Sequence, residues 1–224
     1  MFRHVVIMAA GRGARMMPLT ADVPKAMAPY RGSTLLRHSL EVARRQVSLV
    51  HVTVGYRKAM LASHAIEHGA ASVFNTEGQM NAWWIRNTFL SFLDEPVVVL
   101  TCDGIGELDL AIIAAEYERL KRPACMLVPI APVAGLDGDY IRHDRNGTVL
   151  EVSRTAVTRM FASGIQVLNP SRVCALSSIQ ADNFADVWRE LISHRELKAC
   201  ALYPRCWRAF DTVEQLRVAE LAEG

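Results

Sequence analysis

The stretch from Val5 to Arg31, VVIMAAGRGARMMPLTADVPKAMAPYR, limits what this chain can become more than any other. An apolar run, Val5 to Met8, ends in Ala9 and Ala10, and a loop built on Gly11 and Gly13 follows. Small residues there let backbone N–H groups come close to a ligand and turn together toward an anion. Arg12 and Arg15 set two guanidinium groups beside the loop, and guanidinium matches phosphate in geometry as well as charge. Lys25 follows, between Pro24 and the segment Ala26-Met27-Ala28-Pro29. Pro18, Pro24 and Pro29 keep this part of the chain from becoming one long helix. It is expected to fold back beside the strand end, bring Lys25 near the arginines and form a pocket for polyphosphate.

Two familiar glycine motifs do not fit. Met16 stands where a dinucleotide fingerprint needs its third Gly or Ala, and no suitable acidic residue closes a strand about 20 residues on. The Gly-Lys-Ser/Thr of a Walker A loop is absent. The longer string AAGRGARMMPLTADVPKAMAP resembles the signature of the nucleotidyltransferases that join a nucleoside triphosphate to a phosphate monoester. That family includes sugar-1-phosphate nucleotidyltransferases and phosphocholine cytidylyltransferases. The match covers Ala9, Ala10, Gly11, Gly13, Arg15, Pro18, Leu19, Thr20, Pro24, Lys25 and Pro29. Ala14 departs from the Thr or Ser often seen there, which removes one hydroxyl contact.

Strand-like and helix-like segments alternate, the pattern of an α/β sheet. Helices are expected over Thr34–Gln46, Arg57–His68, most of Gln79–Leu93, Leu108–Arg122, Asn183–His194 and Asp211–Ala222. Strands are expected over Leu49–Gly55, Ser72–Asn75, Pro96–Asp103, Ala124–Pro129, Tyr140–His143, Thr148–Val152, Met160–Leu168 and Lys198–Tyr203. Asn146-Gly147 reads as a hairpin turn, and Asp211 or Thr212 followed by Glu214 reads as a capping arrangement at the start of the last helix. Gly164 is expected to admit a close ligand or backbone. The resemblance implies a three-layer α/β/α Rossmann-like mixed sheet of the nucleotide-diphospho-sugar transferase (GT-A-like) type. A single nucleotidyltransferase domain over residues 1–224 is expected, with 131–205 contributing more to the acceptor side. Little chain follows Asp211, which suits a compact member without a long carboxyl-terminal extension.

With 224 residues, 51% hydrophobic and 21% charged, the chain can bury a substantial core. A net charge of +2 and the lack of long basic runs argue against a nucleic-acid partner. No apolar stretch approaches the roughly 20 residues of a membrane span. The five cysteines include no CxxC pair, which suits reduced thiols in a cytoplasmic protein. Cys102 is read as a strand-end core residue rather than a nucleophile.

In open α/β sheets ligands bind beyond the carboxyl ends of strands. Asp103 stands at such an end, after VVVLTC, where a carboxylate near a phosphate loop suits Mg²⁺. The family's usual metal ligand is an acidic residue there. The family also places an aspartate before a closing helix, and Asp211 in Arg208-Ala209-Phe210-Asp211-Thr212 matches; its position alone equally suits a helix cap. The resemblance assigns catalytic roles to Arg15 and Lys25, with Ala9, Ala10, Gly11, Arg12, Gly13, Asn75 and Asn81 binding the nucleotide. It implies Mg²⁺ as cofactor, with a nucleoside triphosphate and a small phosphorylated acceptor as partners. For the acceptor, Arg86 suits a phosphate and Trp83 lies in the region the family uses for the acceptor; the resemblance implies that Tyr140 and Trp188 fall where such enzymes carry aromatic residues around a quaternary ammonium. Core packing is the plain alternative for Trp83, Trp84 and Trp188.

Three other readings compete. One is a guanylyltransferase of molybdopterin type, against which the longer Arg15-to-Lys25 spacing counts. Another is a regulatory domain that binds nucleotide without turnover. The third is zinc hydrolysis, because His64-Ala65-Ile66-Glu67-His68 matches HxxEH. Five-residue matches arise readily by chance, and no third ligand is evident.

Overall fold

The computed structural model describes residues 2–133, 136, 138–176, 182–204 and 206–221. The elements run β1 (His4–Met8), β2 (Pro29–Tyr30), β3 (Ser33–Thr34), α1 (Leu35–Arg44), β4 (Leu49–Val54), α2 (Lys58–Glu67), β5 (Ser72–Asn75), α3 (Trp84–Asn87), β6 (Val97–Thr101), β7 (Gly104–Gly106), α4 (Leu110–Arg119), β8 (Cys125–Ile130), β9 (Tyr140–His143), β10 (Val149–Ser153), β11 (Phe161–Leu168), α5 (Pro170–Leu176), α6 (Phe184–Ser193), β12 (Leu197–Ala199), β13 (Trp207–Ala209) and α7 (Val213–Leu221). They fall into two units. The first holds His4–Gly78, Leu100–Gly106 and Arg208–Gly224; the second holds Met1–Arg3, Gln79–Val99 and Glu107–Trp207.

In the first unit β1 pairs in parallel with β4, His4 against Leu49 through Met8 against Thr53, and β4 pairs in parallel with β5. Val5, Val6 and Ile7 are all fully buried, so both faces of β1 are covered and the strand is apolar throughout instead of alternating. Helix α1 starts where the Thr34 hydroxyl accepts the Arg37 N–H at 3.1 Å, and it buries Leu35, Leu36, Leu40 and Ala43. A second cluster unites distant parts of the chain: Met16, Ala28, Tyr30, Leu35, Phe210, Leu216 and Ala219 pack together.

In the second unit the long strand β11 pairs antiparallel with β6, β8 and β9, while β12 lies parallel to β8. Gly164 lies where the β11–β8 register shifts, between Ala162 and Gln166. The β9–β10 turn closes with the Gly147 N–H donated to the Asp144 carbonyl at 3.0 Å.

Three expectations need correction. Gln79–Leu93 is not one helix: α3 covers one turn and a 3₁₀ turn, Phe89–Phe92, follows. The Asn87 amide and the Thr88 hydroxyl donate to the carbonyls of Trp83 and Trp84, and Thr88 is extended at φ −127, so the polar side chains end the helix. The late strand is only Leu197–Ala199; beyond it Cys200 and Tyr203 donate singly to Leu127 and Pro129. The closing helix is capped by Thr212, whose hydroxyl accepts the Gln215 N–H at 3.2 Å, while Gln215 accepts the Thr212 N–H at 3.0 Å. The partner in that box is therefore Gln215 and not Glu214. Ala222, expected as the last residue of this helix, lies outside the described residues.

Candidate functional site

The loop after β1 has a left-handed residue at Gly13, φ 76 and ψ 51. A Cβ there would stand 2.6 Å from the Cβ of Lys25, so the loop accepts the lysine stem against it only because residue 13 is glycine. Two donors converge on the Gly13 carbonyl: the fully buried Thr20 hydroxyl at 2.8 Å and the Met16 N–H at 2.9 Å. These bonds fold Pro18–Lys25 back as the three prolines suggested. On the other side the loop is tied to the end of β4. Ala9 N–H donates to the Thr53 hydroxyl at 3.0 Å, and Tyr56 N–H donates to the Ala10 carbonyl at 3.0 Å. Gly55 comes so close that a Cβ would lie 2.7 Å from the Ala10 oxygen. Among the described residues, the backbone N–H groups of Gly11, Arg12 and Gly13 have no acceptor. Gly11 and Arg12 are exposed, so these donors are available to an anion.

The four charged residues singled out in the sequence meet in one cluster of the first unit. The Lys25 ammonium donates to Asp103 Oδ2 and to Asp211 Oδ1, the latter at 2.9 Å. Arg15 Nη2 reaches the same Asp211 oxygen at 2.9 Å. Side-chain exposure is 12% for Lys25, 24% for Asp103 and 16% for Asp211, but 63% for Arg15. Burial works against the charge on Lys25; Asp103 and then Asp211 outweigh it and hold the pKa above the usual lysine value. Lys25 is therefore a fixed cation at neutral pH. Asp103 and Asp211 are brought together because the Phe210 N–H donates to the Asp103 carbonyl at 3.0 Å and the Phe210 ring is buried against Tyr30. With Thr212 capping α7, the Asp211 carboxylate is free for this cluster.

The donor set suits Mg²⁺. Magnesium takes one or two carboxylates and completes its shell with water and phosphate oxygens. Asp103 and Asp211 already accept one cation between them, the Lys25 ammonium. Among the described residues no group of three or more His, Cys, Asp or Glu side chains could hold a metal by itself, which includes the HxxEH segment. There His64 Nε2 is hydrogen-bonded to the Thr34 hydroxyl at 2.8 Å.

Cys102 is 6% exposed, and burial followed by the neighbouring Asp103 pushes its thiol pKa up, so it is an inert core thiol. Asn75, exposed in the first unit, accepts the Glu77 N–H at 3.2 Å. The remaining candidates belong to the second unit. Asn81 accepts the Phe184 N–H at 2.9 Å, at the start of α6. Trp84 is fully buried, whereas Trp83 and Arg86 are half-buried. Tyr140 meets Phe161 edge-on, 5.5 Å between centroids, and Trp188 stacks on Phe184 and donates Nε1–H to Gln166 at 3.0 Å. Sequence reading missed the parts played by Thr53, Gly55 and Tyr56 in holding the loop. Only the Gly-Tyr pair after an apolar strand hinted at them.

Comparison with known proteins bears on the family and the fold. The bifunctional protein GlmU of Methanococcus maripaludis is 28% identical over 102 residues, 46% of this chain, and the chain spans 25% of the length of that relative. Two solved structures resemble the whole chain at low identity. CTP:phosphocholine cytidylyltransferase (LicC) from Streptococcus pneumoniae superposes with a TM-score of 0.77 at 15% identity, covering 100% of both chains. UDP-glucose pyrophosphorylase complexed with UDP-glucose gives 0.79 at 16% identity, covering 99% of this chain and 98% of that one. At such identities the likeness establishes the fold, an α/β mixed sheet of the nucleotide-diphospho-sugar transferase type. The profile of the MobA-like NTP transferase domain family matches residues 5–133, more than half of the sequence and the part that holds the glycine loop, Arg15, Lys25 and Asp103. The chain belongs to the MobA-like NTP transferase domain family.

Proposed function

We propose that this protein is a Mg²⁺-dependent nucleotidyltransferase that joins a nucleoside triphosphate to a small phosphate monoester and releases pyrophosphate. The acceptor is a sugar 1-phosphate or a phosphocholine-like compound. The carrying observation is the cluster of Arg15, Lys25, Asp103 and Asp211 against the glycine loop.

A phosphate monoester has a second pKa near ~6, so the acceptor is largely dianionic at neutral pH and needs no base to become a nucleophile. Its oxygen attacks the α-phosphorus, forming the new P–O bond. The bond from the α-phosphorus to the oxygen bridging to the β-phosphate breaks, and pyrophosphate leaves with the electron pair. The task left to the protein is to bring two anions together and stabilise charge at the α-phosphate. Lys25, held as a cation, and the more exposed Arg15 supply positive charge, and the N–H groups of Gly11, Arg12 and Gly13 supply neutral donors. Asp103 and Asp211 would hold Mg²⁺, which contributes further charge neutralisation on the triphosphate. Trp83 and Arg86, together with Tyr140 and Trp188 from residues 131–205, are the candidates for acceptor recognition on their chemistry: a guanidinium for phosphate, aromatic faces for an ammonium.

The test is a pyrophosphate-release screen of ATP, CTP, GTP and UTP against phosphorylated sugars and amino alcohols. Release with one pair is the expected result. Tight triphosphate binding with no release across the whole panel would replace this reading with a non-catalytic nucleotide-binding domain.

A further inference from the structure

Arg12 and Arg57 both lie against the ring of Tyr56, with their Cζ atoms 5.2 and 5.7 Å from its centroid. The two are not equivalent. Arg57 Nη2 is paired with Asp22 Oδ1 at 3.0 Å, so its charge is matched. Arg12 has no carboxylate partner among the described residues and is exposed at the tip of the glycine loop. The residue it rests on is held at its backbone, where the Tyr56 N–H donates to the Ala10 carbonyl, and at its ring, where the phenol donates to the Ala21 carbonyl at 2.5 Å. An exposed arginine loses much side-chain freedom when it binds an anion. An aromatic face already holding the guanidinium removes part of that loss.

We propose that Tyr56 is a positioning residue for triphosphate binding: it holds the unpaired Arg12 guanidinium beside the Gly11–Gly13 loop, so that Arg12 meets the phosphate chain already oriented. This rests on the nucleotidyltransferase reading and names the group that tunes its nucleotide affinity. The ordinary alternative is that Arg12 merely covers an apolar ring.

The test is a double-mutant cycle on the full chain, with dissociation constants for ATP, CTP, GTP, UTP and inorganic tripolyphosphate measured by calorimetry in Mg²⁺ buffer. Tyr56→Leu is expected to weaken the best probe about two- to fivefold, the range of an exposed cation–π contact. Tyr56→Phe keeps the aromatic face, though not the phenol bond to Ala21, and is expected to bind the same probe more tightly than Tyr56→Leu. In an Arg12→Gln background, Tyr56→Leu adds no further loss. A structural role for Tyr56 would produce the same loss in both backgrounds, and that result, or no loss at all, overturns the proposal while leaving the enzyme reading intact. Should Tyr56→Leu unfold, Tyr56→Met carries the same comparison. Wild-type protein that binds none of the five probes would overturn both readings together.

Discussion

Gly11 and Gly13, separated by one residue in the loop, should respond to the same substitution very differently. At Gly13 an alanine meets two separate penalties. Its φ of 76 places it in the left-handed region, which costs a residue bearing a Cβ about 1–2 kcal/mol. The new Cβ would also stand 2.6 Å from Lys25 Cβ and 3.0 Å from Cγ, overlaps that force the chain to shift at a cost of about 1–3 kcal/mol. The sum is about 2–5 kcal/mol, which in a domain of this size lowers Tm by roughly 4–20 °C. At Gly11 the Cβ meets nothing within 4 Å and φ is not positive, so Gly11→Ala should change stability by less than about 1 kcal/mol. Thermal unfolding followed by circular dichroism reads the difference. Triphosphate affinity gives the complementary result: Gly11→Ala should weaken binding without destabilising the fold, because its methyl group projects into open space beside the free N–H donors. Equal Tm values for the two variants would refute the packing of Lys25 on the loop.

Three further outcomes follow from the same contacts. Lys25→Ala should lower turnover by about 10²–10³, the usual effect of removing one charge-stabilising donor, with an unchanged far-UV spectrum; pyrophosphate release checks it. His51 is 2% exposed and hydrogen-bonded to His4 Nδ1 at 3.0 Å, and burial, then the neighbouring His4, lowers its pKa to about 4. The unfolded chain therefore binds more protons than the folded one between about pH 6.5 and 4. Stability is full above that window and should fall by about 3 kcal/mol as pH drops through it, as urea titrations at pH 7 and 4.5 would begin to reveal. Asn81→Ala removes the acceptor of the Phe184 N–H and should cost about 1 kcal/mol in the same assay; an unchanged midpoint would show that the side chain does not hold α6.

Local chemistry made much of this protein legible before its coordinates were known. The β1 run, its glycine loop and the three prolines are neighbours in sequence, and steric limits on φ and short-range hydrogen bonds act over such distances. Asp103 was readable for the same reason, as a carboxylate ending an apolar strand. The break at Thr88 was missed because Asn87 and Thr88 suit a helix by apolar period and oppose it by side-chain hydrogen bonds. What tertiary structure alone decided is the company these residues keep. Asp211 could have been a helix cap; burial of Phe210 among Met16, Tyr30 and Leu35, with Thr212 taking the cap, sends its carboxylate to Lys25 and Arg15 instead. Tyr56 meets Arg12 only because Gly55 lets β4 end against Ala10. Such meetings depend on which distant apolar surfaces leave water together, a balance summed over the folded chain that no single segment contains.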